Sequence, residues 1–370
     1  MIKNIIPALI LIITTSSTLS QQTYETVIVN GVEREYYQYL PSTYDPQTDQ
    51  LPVVFLLHGL GDNALNTSTY GMNTIAESEK FIVIYPQGMP NSQGNNAWNN
   101  NTLVASTAED LAFLSNLIDT VNTEESIDLS RVYFSGISMG AIMTYTACRY
   151  MSDRIAAAVC HIGTMSNQEL GNYNPAYPVP VLHKHGTDDQ TVPYSGTPFP
   201  SLSLVQATID KLKSSNGWLG DSTVTTIPDN AADGITVDRI VYNCITPLEL
   251  WRMNNAGHIL LFQPYNDTSS FAVEWGFLQQ FSHSNPAPAG IQEEENVSPF
   301  FYPNPANKVI HLVNYFDFDQ LMIYSVDGKL ISTSGIVQET IDVSTLSRGT
   351  YILKFIDNNK NFSTQKVVIE

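Results

Sequence analysis

The stretch YFSGISMG, residues 133–140, sets Ser138 between Gly136 and Gly140. A serine hydroxyl is a weak nucleophile until a neighbouring base takes its proton, so a serine used for chemistry needs a histidine, and that histidine needs an acid to orient it. The apolar run before Ser138 has the character of a strand, and the residues from Met139 onward have helical periodicity. Gly-x-Ser-x-Gly at such a junction is a nucleophile elbow, because a strained turn needs residues without side chains beside the serine if strand and helix are to pack closely. The elbow also sets the hydroxyl at a helix N-terminus, where free N–H groups favour developing negative charge. The plainer alternative is a helix-start serine. Ser135 falls inside the strand and reads as structural.

The partners can be screened by position. The chain has seven histidines: His58, His161, His183, His185, His258, His283 and His311. Where an elbow of this kind works, the acid and then the histidine follow the serine along the chain. That order excludes His58, and His161, His183 and His185 precede the stretch that offers the acid. His283 borders a proline- and glutamate-rich segment, and His311 alternates within a late strand. His258, in the loop-like NNAGHILLF, remains as the base. The acid comes from VLHKHGTDDQTVPY, where Asp188 and Asp189 follow a strand directly, and position alone does not choose between them. The second aspartate would then be a solvated loop residue or a local cap.

Such a reaction also needs two N–H donors for the oxyanion. Met139, after the serine, is one. The glycine-rich LLHGLGDNA, residues 56–64, offers Leu60 as the other, the alternative being an ordinary turn between strand and helix. Trp98, in the polar loop NNAWNNN, is a candidate to stack on a sugar or an aryl group, with anchoring of a long loop as the equal alternative. This scheme requires no metal and no cofactor.

Alternating strands and helices must carry these residues. LPVVFLLHG, FIVIYPQG, SRVYFSG, AAAVCHIG and VPVLHKHG are apolar runs that each end in glycine, and between them lie helical stretches such as residues 108–121 and 139–151. Continuous apolar strands suit a mostly parallel sheet covered on both faces, an α/β doubly wound architecture with ligands at the carboxyl ends of the strands. The expected organisation is a secretory leader at residues 1–20, this α/β domain at 21–284, an extended linker at 285–299 and a small all-β sandwich at 300–370. In the last, Asp327-Gly328 signals a hairpin turn.

With 370 residues the chain exceeds what one core usually organises, and 43% hydrophobic residues allow a large interior. A net charge of -19 argues against nucleic acid or an anionic membrane surface as partner. After the leader no segment approaches the ~20 apolar residues of a membrane span, so no transmembrane anchor is expected. Three cysteines, Cys148, Cys160 and Cys244, cannot all pair within one chain and show no metal-ligand spacing. They read first as buried thiols, with one disulfide left open.

Together LLHGLGDN, VIYPQG, AWN, EDLAFLSNLI, SRVYFSGISMGA and HGTDDQTVPY resemble secreted α/β-hydrolase esterases of the feruloyl esterase and polyhydroxybutyrate depolymerase type, from about residue 38 to 280. The resemblance implies the acid at Asp189 within HGTDDQTVPY. The histidine motif departs from the pattern, with Ile259 and Leu260 where the family often carries polar and tryptophan residues. FYPNPANKVIHL, IYSVDGKLI and LSRGTYILKF resemble the C-terminal sorting domain of the type IX secretion system, which implies export to the cell surface or medium. From its pattern alone the tail would also allow a carbohydrate-binding module, but the missing tryptophan cluster argues against it, since all four tryptophans lie upstream. The resemblance implies an ester substrate linked to a polymer, ferulate or acetate on plant cell-wall polysaccharide, with a polyester as the alternative. The other readings are a serine peptidase, or a surface adhesin that keeps the fold without the chemistry. An adhesin would have no use for a serine, an acid and a histidine in order.

Overall fold

The structure is a computed structural model that describes residues 21–283, 300–313, 318–325, 329–335, 340–357 and 362–370. The expected leader, the expected linker and the Asp327-Gly328 turn lie outside the described residues. The chain divides into two compact units, residues 1–289 and 290–370.

In the first unit the strands are β1 (Gln22–Val29), β2 (Val32–Tyr39), β3 (Leu51–Leu57), β4 (Ile82–Pro86), β5 (Ile127–Ile137), β6 (Ala157–His161), β7 (Val181–Gly186), β8 (Trp218–Ile227), β9 (Thr236–Cys244) and β10 (Leu248–Asn254). The helices are α1 (Ala64–Thr67), α2 (Met72–Glu79), α3 (Asp110–Glu124), α4 (Met139–Tyr150), α5 (Asn167–Asn172), α6 (Val205–Ser215) and α7 (Ser270–Leu278). The strands form one sheet in the order β1-β2-β4-β3-β5-β6-β7-β10-β9-β8. From β4 to β10 neighbouring strands run parallel. The pairs at both edges are antiparallel.

Every residue of β3, β4, β6 and β7 is buried, as both-sided cover requires. Because strand side chains alternate, Val53, Phe55 and Leu57 join one core with α3, α4 and α6, while Val54 and Leu56 join a second with α2 and α7. Between residues 218 and 254 the sequence reading offers no strand, yet β8, β9 and β10 extend the sheet there. β8 is exposed along nearly its whole length and shows no apolar alternation. Its partner β9 supplies the pairing that its own pattern does not announce.

The second unit holds β11 (Phe300–Tyr302), β12 (Val309–Val313), β13 (Phe318–Ser325), β14 (Leu330–Gly335), β15 (Thr340–Asp342), β16 (Gly349–Asp357) and β17 (Phe362–Ile369). They form two antiparallel sheets, β11-β12-β15 and β14-β13-β16-β17. Ile310 and Leu312 from one sheet, and Leu321, Ile323, Leu353 and Phe355 from the other, share a single buried cluster. β13 and β14 pair directly across the expected hairpin.

No helix among the described residues is long and apolar enough to cross a membrane. Cys148 and Cys160 are buried, Cys244 is half-buried, and all three are free thiols.

Candidate active site

Strand β5 and helix α4 meet at Ser138, whose φ of 55° and ψ of -114° lie outside the favoured regions for a residue with a side chain. The glycines on either side show what makes this turn possible. A Cβ on Gly136 would lie 2.2 Å from the Gly140 backbone, and one on Gly140 would lie 2.2 Å from the Leu57 carbonyl oxygen. α4 therefore rests against β5 and β3 at distances only hydrogen allows. Gly163, just after β6, makes the same approach from the other side, where a Cβ would come within 2.3 Å of the Ser138 carbonyl oxygen. The Ser138 N–H donates to the His161 carbonyl at 2.8 Å, which ties the turn to β6.

The loop after β10 carries His258, and the turn after β7 carries Asp189. His258 Nε2 lies 2.9 Å from Ser138 Oγ, and His258 Nδ1 lies 2.7 Å from Asp189 Oδ2. An ionised carboxylate only accepts, so Nδ1 carries the hydrogen and Nε2 is left to accept from the serine hydroxyl. Asp189 is buried, and its Oδ1 accepts from the N–H groups of Thr191 and Val192, each at 2.8 Å. Burial works to raise its pKa, but hydrogen bonds from His185, His258 and Val192 prevail and hold the carboxyl below the usual range. Asp188 is exposed, with its carboxylate turned to the Thr187 hydroxyl at 3.3 Å.

Met139 is the first residue of α4, so its N–H has no partner inside the helix. The loop after β3 passes beside it, since a Cβ on Gly59 would lie 3.6 Å from Ser138 Cβ. Leu60 follows in that loop with its side chain 42% exposed. Ile259, next to His258, is exposed to the same degree, which leaves apolar side chains beside the two loops that border the serine.

Of the two readings the sequence leaves open for Trp98, the structure agrees with the anchoring of a loop and not with stacking on substrate. It is fully buried and its indole N–H donates to the His58 carbonyl at 2.9 Å, with the two rings 4.8 Å apart. It has no face to offer a sugar or an aryl group. The surrounding asparagines suggest exposure, but their polar groups are spent within the fold: Asn96 donates to the Asp62 carbonyl and Asn100 to the Met139 carbonyl. Trp98 instead props the loop that carries Leu60.

His58, set aside by chain order as a base, shares that task. Its Nε2 accepts from the Gly88 N–H at 2.9 Å, so Nδ1 carries the hydrogen and donates to the Gly59 carbonyl at 2.7 Å. Burial lowers its pKa and keeps the ring neutral. The His58-Gly59 pair at the end of an apolar strand is the one sequence signal that could have revealed this support.

Residues 40–198 match the phospholipase/carboxylesterase family, and residues 300–370 match the secretion system C-terminal sorting domain. The first match includes Leu60, Ser138 and Asp189 and ends before His258. A bifunctional acetylxylan esterase/xylanase from Neocallimastix patriciarum is 33% identical over 165 residues, 44% of this chain and 22% of that protein. A probable feruloyl esterase C from Aspergillus niger is 29% identical over 210 residues, 52% of this chain and 72% of that protein. The chain thus spans about a fifth of the first relative and under three quarters of the second. An acetyl xylan esterase from Aspergillus awamori shares the fold, with a TM-score of 0.51 at 16% identity over 70% of this chain and 99% of that one. The sorting domain indicates secretion. The chain joins a unit with the α/β-hydrolase fold, similar over residues 40–198 to the phospholipase/carboxylesterase family, to a C-terminal unit that matches the secretion-system sorting domain.

Proposed function

We propose that this chain is a secreted serine carboxylic ester hydrolase that releases ferulate or acetate from plant cell-wall polysaccharide. The observation that carries the reading is the unbroken row from Asp189 through His258 to Ser138, with contacts of 2.7 and 2.9 Å, at a strained turn opening a helix. Ser138 Oγ attacks the ester carbonyl while His258 Nε2 takes its proton. Asp189 holds the imidazole in the required tautomer and stabilises the imidazolium. The N–H groups of Met139 and Leu60 receive the oxyanion. The proton then passes from His258 to the leaving alcohol, and water, activated by the same histidine, releases the acid from Ser138.

The substrate class draws on the acetylxylan and feruloyl esterase relatives, and the ester is polymer-linked in this reading. The sorting domain engages the type IX machinery. Side-by-side hydrolysis of methyl ferulate, acetylated xylan and a short hydroxybutyrate oligomer by wild type and Ser138→Ala tests it. A preference for ferulate or acetyl esters, with kcat reduced about 10⁶-fold in the variant, is expected. Preference for the oligomer would move the substrate to polyesters. Undiminished hydrolysis by Ser138→Ala would overturn the mechanism.

A further inference from the structure

Behind Asp189, on the face of the sheet that carries α4, stands a row of side chains that the chemistry above leaves unused. His185 Nε2 lies 2.8 Å from the Val192 carbonyl oxygen and 3.3 Å from Asp189 Oδ2. On its other side His185 Nδ1 lies 3.2 Å from His183 Nε2, and His183 Nδ1 lies 2.6 Å from the Tyr145 hydroxyl. All three side chains are fully buried. Residues two apart on β7 face the same way, so His183 and His185 stack, with ring centroids 5.2 Å apart, against the Tyr145 of α4.

The direction of these bonds follows from their far end. A carbonyl only accepts, so His185 Nε2 carries a hydrogen that it donates to Val192, with Asp189 Oδ2 3.3 Å from the same nitrogen and favoured by that N–H. In a neutral ring His185 Nδ1 is then an acceptor, His183 Nε2 donates to it, and His183 Nδ1 accepts from Tyr145. Donors therefore run one way, from Tyr145 to the carboxylate, and no group gains a charge. The reverse order needs a second proton on His185. A cation there would neutralise the charge that His258 needs when it becomes an imidazolium.

We infer that His185 is a positioning residue for the triad, and that Tyr145 and His183 fix its tautomer so that Asp189 Oδ2 is held toward His258 with its charge intact. This rests on the ester hydrolase reading above. The other titratable groups facing the row are Cys160 and His161 of β6, Cys148 of α4, Tyr173, and Tyr194, whose ring meets His185 edge-on at 5.9 Å. Arg252 of β10 sits opposite His185 in the sheet and is paired with Asp238.

The test uses the full chain and three variants, His185→Leu, His185→Gln and Tyr145→Phe. Hydrolysis of p-nitrophenyl acetate is followed from pH 5 to 9, and a serine-directed organophosphonate counts competent sites. In His185→Leu kcat should fall at least roughly tenfold with KM within about twofold. The acid limb of kcat/KM, set by His258, should move up by about half to one pH unit, because a carboxylate that loses a donor holds the imidazolium more tightly. His185→Gln keeps an N–H to donate and should recover most of kcat. Tyr145→Phe removes one oxygen atom and should move the limb the same way by less, which decides the matter even where His185→Leu does not fold. A limb in Tyr145→Phe that coincides with wild type, or a His185→Leu enzyme with unchanged kcat, would overturn the inference. Failure of the phosphonate to label wild type would instead overturn the hydrolase reading.

Discussion

Replacing Trp98 by phenylalanine distinguishes a prop from a platform. The indole is fully buried and donates to the His58 carbonyl. Trp98→Phe keeps an aromatic ring against His58 but removes that donor, and a buried carbonyl left unpaired costs about 1–3 kcal/mol. The smaller ring also leaves a void on the order of 40 Å³, which at ~24 cal/mol per Å³ adds about 1 kcal/mol. Together these come to about 3 kcal/mol, a fall of roughly 6–12 °C in Tm for a unit of this size. Calorimetry on the full chain should show the hydrolase transition lowered by that amount. In steady-state kinetics, kcat/KM for methyl ferulate and for an acetyl ester should fall by the same factor, since a loosened 58–60 loop harms oxyanion binding whichever acyl group is present. An unchanged Tm with a KM raised only for the ferulate ester would refute the reasoning and put Trp98 back in contact with substrate.

Three further outcomes are expected. Gly140→Ala brings a Cβ to 2.2 Å from the Leu57 carbonyl oxygen, so α4 must withdraw from β3; kcat should drop by about 10²-fold or more, and wild-type kinetics would show slack at the elbow. Asp189→Asn should lower kcat by about 10⁴-fold at neutral pH. Because the folded carboxyl titrates below its ordinary range, it contributes stability that is present above about pH 3.9 and is lost as the pH falls toward the folded value. Urea unfolding between pH 2 and 6 should lose part of its slope in the variant. Lys184 is fully buried, and burial lowers its pKa to about 7 against a smaller opposing pull from Glu274. The unfolded chain then binds the extra proton between about pH 7 and 10.4, so stability should rise with pH across that window. Lys184→Met should flatten the rise, and an unaltered profile would place the wild-type ammonium in a less costly setting.

The elbow was legible because its signal is local. An apolar β-branched run, two glycines and a helical period all lie within residues 130–151, and the contacts at Gly136 and Gly140 give those glycines their reason. His258 was legible through chain order alone, and Asp189 only through a longer motif, since nothing local separates it from Asp188. Trp98 stayed between substrate platform and loop anchor because polar neighbours on a loop usually mean solvent, whereas here Asn96 and Asn100 are consumed by backbone groups of the same fold. Chain order screens His183 and His185 only as bases, and the sequence gives no sign of their supporting contacts for a related reason. Buried polar groups that satisfy one another look, in sequence, like interruptions of an apolar strand. β8 gave no pattern because an exposed edge strand imposes no alternation on its side chains.

The two thiols sealed within the hydrolase unit bear on where such a chain can work. Cys148 and Cys160 are completely buried, and burial pushes both well above the ordinary thiol range. The thiolate is the form that attacks disulfides and oxidants, so neither is open to that chemistry while the fold is closed. A core of this size holds without covalent staples, whereas small exported domains usually depend on them. Thiol-directed reagents and oxidants should therefore leave Cys148 and Cys160 unmodified while the unit is folded, so any response of activity to them would have to run through the half-buried Cys244.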